Sequence, residues 1–202
     1  TPMHDRATRR FDRAAGRYHD SADVQRRVAE DLVASIPAVR DPERILEVGC
    51  GTGVLTAMLR KRFPSARIVA TDPSPAMIRE ARTRNPDPAI AWSVANPLRA
   101  DSLPQGAFSL AASSSALHWA RPLDRAIAHL ADGLAPGGVC AAAIMIDGTL
   151  DELRRARAAA APGKPAAPLP RRAEVEEGLA GSGLTVERID VRDVPERHAS
   201  AE

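Results

Sequence analysis

The chain has 202 residues, enough for one domain with a sizeable core, and its formal net charge of +2 at pH 7 is too small to imply nucleic acid or an anionic membrane as partner. Its two cysteines, Cys50 and Cys140, offer no disulfide framework and read as the reduced thiols of a cytoplasmic protein. No apolar run reaches the length of a membrane span, no signal peptide is expected ahead of the fold, and no metal site is expected.

In chain order, residues 22–36 are predicted to form a helix with Val24, Val28, Leu32 and Ile36 on one stripe, stopped by Pro37. A strand over 44–49 runs through three glycines into a helix over 53–62, and Pro64 closes that unit. A second strand, 67–71, precedes a helix from about Ser74 to Arg84, where Ser74-Pro75 supplies a capping hydroxyl and a first-turn proline. Asn85-Pro86-Asp87-Pro88 is a loop before a strand over 90–94. Phe108 to Ala112 makes a fourth strand, Leu123 to Leu134 a helix, and Val139 to Ile146 a fifth strand introduced by Pro136-Gly137-Gly138. Strands separated by helices require parallel pairing and right-handed crossovers, which gives an α/β fold: a doubly wound, mostly parallel sheet with helices on both faces. Its ligand belongs at the carboxyl ends of the strands.

After Ile146 the pattern changes. Gly148-Thr149-Leu150-Asp151-Glu152-Leu153 opens a helix, and Ala158 to Pro170, rich in alanine and proline, reads as a loop or mobile cover. A short helix (Ala173 to Ala180), the turn Gly181-Ser182-Gly183 and an alternating strand (Leu184 to Val194) complete the pattern. With no repeats and no second boundary, residues 1–202 are expected to form one domain: a helical cover (1–36), a ligand-binding core (44–146) and a substrate-side region (147–202).

The run Ile45-Leu46-Glu47-Val48-Gly49-Cys50-Gly51-Thr52-Gly53 joins a buried-strand pattern directly to a glycine-rich turn that opens a helix. Alternating glycines let the backbone turn sharply and approach a ligand where any Cβ would collide. Asp72 follows 19 residues beyond Gly53, at the close of the next apolar strand, and is placed to grip ribose hydroxyls. A nucleoside cofactor is therefore expected. The dinucleotide fingerprint needs glycine at position 54, where Val54 stands, and there is no P-loop motif.

An acidic residue followed by G-x-G-x-G resembles motif I of the class I S-adenosylmethionine (SAM) methyltransferases. Phe11-Asp12-Arg13-Ala14-Ala15-Gly16-Arg17-Tyr18, with Ala22 and Gln25 downstream, is similar to the N-terminal signature of the malonyl-acyl-carrier-protein O-methyltransferases of biotin synthesis. Ala116-Leu117-His118-Trp119, Leu134-Ala135-Pro136-Gly137-Gly138 and the 148–153 segment match as well, so the resemblance covers about residues 8–190. The Leu-His-Trp segment also looks like trans-aconitate methyltransferases.

The resemblance implies SAM as cofactor, held by Tyr18, Glu47, Gly49, Cys50, Gly51, Gly53, Asp72, Pro73, Met77, Asn96, Pro97 and Ser113. It also implies transfer of the methyl group to a carboxylate oxygen, most readily the free carboxyl of malonyl carrier protein. Small-molecule carboxyl or other O- or N-methylation, and a SAM-binding subunit without activity, are the alternatives. A carboxylate is already nucleophilic at neutral pH, so positioning and water exclusion suffice and no general base is required. Tyr18 and His118 are the catalytic candidates, His118 either positioning the substrate carboxyl or lining the pocket. Arg9, Arg13 and Arg17, spaced four apart, and Arg171 with Arg172 either bind a carboxylate or phosphopantetheine or form a solvated face.

The sequence departs from the family at two places. Where related sequences read Asp-x-Glu after the third strand, this chain has Asn96-Pro97-Leu98, with three residues inserted before Leu103-Pro104. Asn96 is expected to accept the hydrogen bond of the adenine amine. Pro97 has no N–H to offer an adenine ring nitrogen, so SAM affinity is expected to be weakened by about 0.5–1.5 kcal/mol. The C-terminus is also shorter than the family pattern. Either the 184–194 strand fills the place beside the fifth strand, or a partner does, or the chain is truncated, which is the simplest reading.

Overall fold

The computed structural model describes residues 12, 23–37, 42–104, 108–160 and 167–195. β1 (Arg44–Val48), β2 (Arg67–Asp72), β3 (Ile90–Val94), β4 (Phe108–Ser114) and β5 (Leu134–Ala143) join in one parallel sheet in the order β3-β2-β1-β4-β5. Helices α1 (Asp23–Ser35), α2 (Val54–Arg62), α3 (Pro75–Arg84), α4 (Leu123–Asp132), α5 (Asp151–Ala160) and α6 (Arg172–Ala180) surround it. The chain moves outward from β1 to β3 and then returns to β4 on the other side of β1. The switch point therefore lies between β1 and β4, where an open α/β sheet leaves a crevice at its carboxyl edge.

Successive strand residues point to opposite faces and build two cores. Ile45, Ile68, Ile90 and Leu110 pack with Leu32 of α1, Leu55 and Leu59 of α2, and Ile78 of α3. Leu46, Val48 and Ala111 face the other way, onto Leu123, Ile127 and Leu130 of α4, with Val175 and Leu179 of α6 against them. Ile45, Leu46, Leu59 and Leu130 are fully buried, each contributing about 1.5–3 kcal/mol. The basic end of α2 also serves the end of α1: Arg62 donates to the carbonyl of Val33, which also takes the Ile36 N–H at 3.3 Å, and to that of Ile36.

Three elements differ from their sequence pattern. β5 starts at Leu134, not Val139, because Phe108 pairs with Leu134 and Leu110 with Val139, so Pro136-Gly137-Gly138 bulges within the strand. α5 runs on to Ala160 through alanines assigned above to a loop, since alanine is the strongest helix former. The segment 184–194 is not a strand. Its alternation slips between Leu184/Val186 and Ile189/Val191, and among the described residues no ladder joins it to β5. It passes instead to α1, where Arg27 donates to the Pro195 carbonyl at 2.7 Å, and it leaves Val186, Ile189 and Val191 exposed. A period of two makes a strand only where neighbouring backbone completes the hydrogen bonds.

Candidate functional site

The motif turn is held from below by β2. The N–H groups of Gly49 and Cys50 both donate to the Thr71 carbonyl, at 2.7 and 2.9 Å, and Thr71 returns its hydroxyl to the Glu47 carbonyl at 2.8 Å. All three glycines have positive φ: 77° at Gly49, 54° at Gly51 and 87° at Gly53. Their reasons differ. A Cβ at Gly49 would stand 2.2 Å from that of Ala116, and one at Gly53 would stand 2.5 Å from Asn85 Nδ2, so these two glycines permit close packing. At Gly51 no described residue lies within 4 Å of the missing Cβ, and this open space is where a ligand can reach the backbone.

Asp72 ends β2 beside the turn. Its Oδ2 accepts the Gly51 N–H at 3.0 Å and its Oδ1 accepts the Ser74 N–H at 2.9 Å, and each oxygen has a further lone pair with which to accept. Burial, with a smaller push from the Asp12 charge, raises this carboxyl to about 6 against those two hydrogen bonds. Glu47 lies deeper, fully buried at the end of β1, with neither side-chain oxygen in a hydrogen bond. Burial pushes it up to about 8; a nearby Thr56 hydroxyl offsets part of the rise and the Asp72 charge adds to it. Burial, with the Glu47 and Asp72 charges adding to it, lifts the Cys50 thiol well above its usual value and favours the neutral form.

The remaining predicted contacts fall around this centre. Pro73 is half-buried in the link to α3, and Ser74 caps that helix by accepting the Met77 N–H at 3.1 Å. The Met77 side chain is buried under the helix. Ser113 is fully buried and donates to the Val48 carbonyl at 2.8 Å, fastening β4 to β1 beneath the turn. Asn96 and Pro97 follow β3, where the Asn96 side-chain oxygen takes the Leu98 N–H at 2.9 Å. The residues ahead of Leu103-Pro104 coil into a short 3-10 turn, Ala100–Ser102.

His118 lies on another 3-10 turn, Leu117–Trp119, directly after β4. It is buried, its Nδ1 has no partner, and its ring centroid is 5.1 Å from that of Trp119. Burial and the Arg121 charge lower it to about 4, so it is neutral at physiological pH. Tyr18, Arg9, Arg13 and Arg17 lie outside the described residues. Arg171 and Arg172 are exposed and face Glu174 and Glu176, at 3.7 and 2.7 Å, as ion pairs of their own helix turn.

Several contributors had no role in the sequence reading. Asp12 accepts from the Ser74 hydroxyl and, at 3.4 Å, from the Ala76 N–H, so its carboxylate lies near Asp72. His129 of α4 donates from Nδ1 to the Pro97 carbonyl at 2.9 Å and anchors the turn after β3. The hydroxyls of Ser114 and Ser115 are buried without partners at the end of β4, and Ser115 has φ of 54°. The position of Asp12 in the N-terminal signature was a usable signal. The pairing of His129 with Pro97 spans 32 residues and left none.

The methyltransferase-domain family matches residues 45–138. A malonyl-acyl-carrier-protein O-methyltransferase of Geobacter sulfurreducens is 36% identical over 200 residues, covering 93% of this chain and 73% of that protein. A trans-aconitate 2-methyltransferase of Variovorax paradoxus is 36% identical over 125 residues, 61% of this chain and 46% of that protein. Among solved structures, a chain of the complex between the Haloferax volcanii Trm112 methyltransferase activator and a methyltransferase superposes with a TM-score of 0.72 at 21% identity. It covers 92% of this chain and 83% of that one, and it shows the fold.

The cofactor is S-adenosylmethionine, and the residues suit a ligand that carries hydroxyls and positive charge: open backbone at Gly51, a carboxylate at Asp72, and a buried carboxyl at Glu47 whose oxygens have no hydrogen-bond partner. The chain belongs to the class I SAM-dependent methyltransferases and is similar, among them, to the malonyl-acyl-carrier-protein O-methyltransferases.

Proposed function

We propose that this protein esterifies a carboxylate, the free carboxyl of a malonyl thioester on an acyl carrier protein. When bound, the cofactor supplies an electrophilic methyl group, and the protein aligns acceptor and donor. The observation that carries this reading is His118. It is buried on the 3-10 turn that follows β4, and that burial lowers it to about 4, too weak a base to deprotonate a hydroxyl or ammonium acceptor. A carboxylate needs no such step, because it is already ionised. Rate then comes from holding the acceptor in line and excluding water, and a neutral imidazole can donate one hydrogen bond to the acceptor's second oxygen.

Similarity over 73% of the length of the Geobacter relative supports malonyl carrier protein as the substrate. In this reading residues 1–36, with Tyr18, cover the cofactor, residues 44–146 hold it, and residues 147–202 meet the carrier protein. Similarity to the Variovorax trans-aconitate enzyme supports a free tricarboxylic acid as the second reading. Steady-state turnover of malonyl carrier protein, malonyl-coenzyme A and trans-aconitate by the same preparation separates the two. The highest kcat/KM is expected with malonyl carrier protein. Turnover of trans-aconitate alone would transfer the assignment to the second reading, and an N-methylated product would contradict both.

A further inference from the structure

A groove of about 550 Å³ runs between α1, α2 and the end of α3. Val54, Ala57, Met58 and Lys61 line it from α2, and their spacing puts them on one helix face. Three apolar side chains therefore make the floor, and cations stand around it. Lys61 closes one end of the stripe. Arg84 lies toward the other, next to Asn85, whose Nδ2 would stand 2.5 Å from a Cβ at Gly53. Arg26 faces in from α1, and among the described residues no acid lines the groove. Arg84 is paired with Glu80 at 2.8 Å, whereas the side chains of Arg26 and Lys61 have no ion-pair or hydrogen-bond partner among the described residues. The first turn of α2 holds no acid, and Gly53 offers no side chain to cap it, so the positive end of that helix adds to the same field.

Length decides which kind of anion fits. From Val54 to Lys61 the helix rises about 10 Å, too far for one phosphate or carboxylate to serve both ends, and the floor between them is apolar. An amphipathic helix with acids about two turns apart meets both requirements, and the flexible thioether of Met58 suits such a partner. The groove also adjoins the elements already tied to the substrate. Thr52 and Gly53 line it directly after the open backbone of Gly51. On α1, Arg27, next to Arg26, holds the Pro195 carbonyl of the C-terminal region at 2.7 Å.

We propose that this groove docks an acidic amphipathic helix of the acyl carrier protein, with Arg26 and Lys61 reading its carboxylates and Val54, Ala57 and Met58 its apolar face. The inference rests on a carrier-borne substrate, and its test keeps the two apart. Steady-state kinetics compare malonyl carrier protein with malonyl-pantetheine, which presents the same thioester without a protein. In the double variant Arg26→Glu/Lys61→Glu, KM for the carrier protein is expected to rise about tenfold with kcat unchanged, and KM for malonyl-pantetheine to stay as in wild type. Added salt should raise the carrier protein's KM in wild type and much less in the variant.

Lys61 also permits a direct map, because the sequence holds only one other lysine, Lys164. Carbodiimide coupling of carrier carboxylates to this protein, read by mass spectrometry, is expected at Lys61. An unchanged carrier KM in the variant, or coupling at Lys164 with none at Lys61, would overturn the groove and leave the substrate assignment intact. Equal losses with both substrates would overturn it too, as damage to the reaction site. Self-association of the protein alone, abolished in the variant, would overturn it in favour of a second copy. Turnover of neither malonyl substrate by the wild type would overturn the carrier reading and the groove together.

Discussion

Gly51 donates its backbone N–H to Asp72 Oδ2 at 3.0 Å, so the turn after β1 is set by the side chain that ends β2. The other carboxylate oxygen holds Ser74 at 2.9 Å. Asparagine has one acceptor oxygen for these two donors, and its amide opposes whichever it does not serve. Asp72→Asn should therefore lose about 1–3 kcal/mol of stability in urea unfolding, and Asp72→Ala at least as much. Both should weaken S-adenosylhomocysteine binding by about tenfold or more. A variant as stable as wild type would show that the turn does not depend on this carboxylate.

Gly51 and Gly53 separate ligand access from packing. Alanine at either must adopt positive φ, at about 1–2 kcal/mol. At Gly53 the new Cβ also meets Asn85 Nδ2 at 2.5 Å and Trp92 at 3.3 Å, adding about 1–3 kcal/mol of overpacking. Gly53→Ala should be the less stable variant in thermal unfolding. Gly51→Ala should remain better folded yet lose more cofactor affinity, because its Cβ enters open space that the ligand needs. The reverse order would place the ligand elsewhere.

Glu47 predicts an unusual pH dependence of the ligand-free protein. Its pKa rises from 4.5 to about 8 on folding, so the folded state holds a proton that the unfolded chain releases, and stability falls as pH rises through that window. Asp72 acts with the same sign between 3.8 and about 6. His118 opposes them, because its pKa drops from 6.5 to about 4 and stability is lost as pH falls through that range. Between pH 6.5 and 8 Glu47 dominates among the three. Urea unfolding should show stability declining over that interval in wild type and nearly flat in Glu47→Gln. An unchanged slope in the variant would remove Glu47 from the account.

The pH–rate profile tests His118 separately. With its pKa near 4, no inflection between pH 5 and 7 should belong to it. His118→Gln, which stays neutral and can still donate, should lose less kcat than His118→Phe. A limb near pH 6.5 that vanishes in the glutamine variant would mean that His118 cycles its proton.

Much of this site was legible because its parts are local. A buried strand, three glycines at two-residue spacing and an acid at the next strand end must meet once the strands pair in parallel, and Glu47, Gly51 and Asp72 do. The start of β5 was hidden, because Pro136-Gly137-Gly138 reads as a turn and is a bulge only when Phe108 and Leu110 set the register. The 184–194 segment failed for the opposite reason: its pattern suits a strand, but a strand needs a partner that sequence spacing does not supply. Asn96 was legible as the residue that follows β3, but that its side-chain oxygen is taken by the Leu98 N–H was not. Ser113 is a strand fastener, which only the nearby Val48 carbonyl reveals.

The most direct test is mass spectrometry of malonyl carrier protein incubated with this protein and SAM. The account predicts one added methyl group on the malonyl moiety, as an ester released by mild base, with stoichiometric S-adenosylhomocysteine. SAM bound at the Gly51–Asp72 cradle, with the malonyl group and other carboxylates left unmodified, would contradict it.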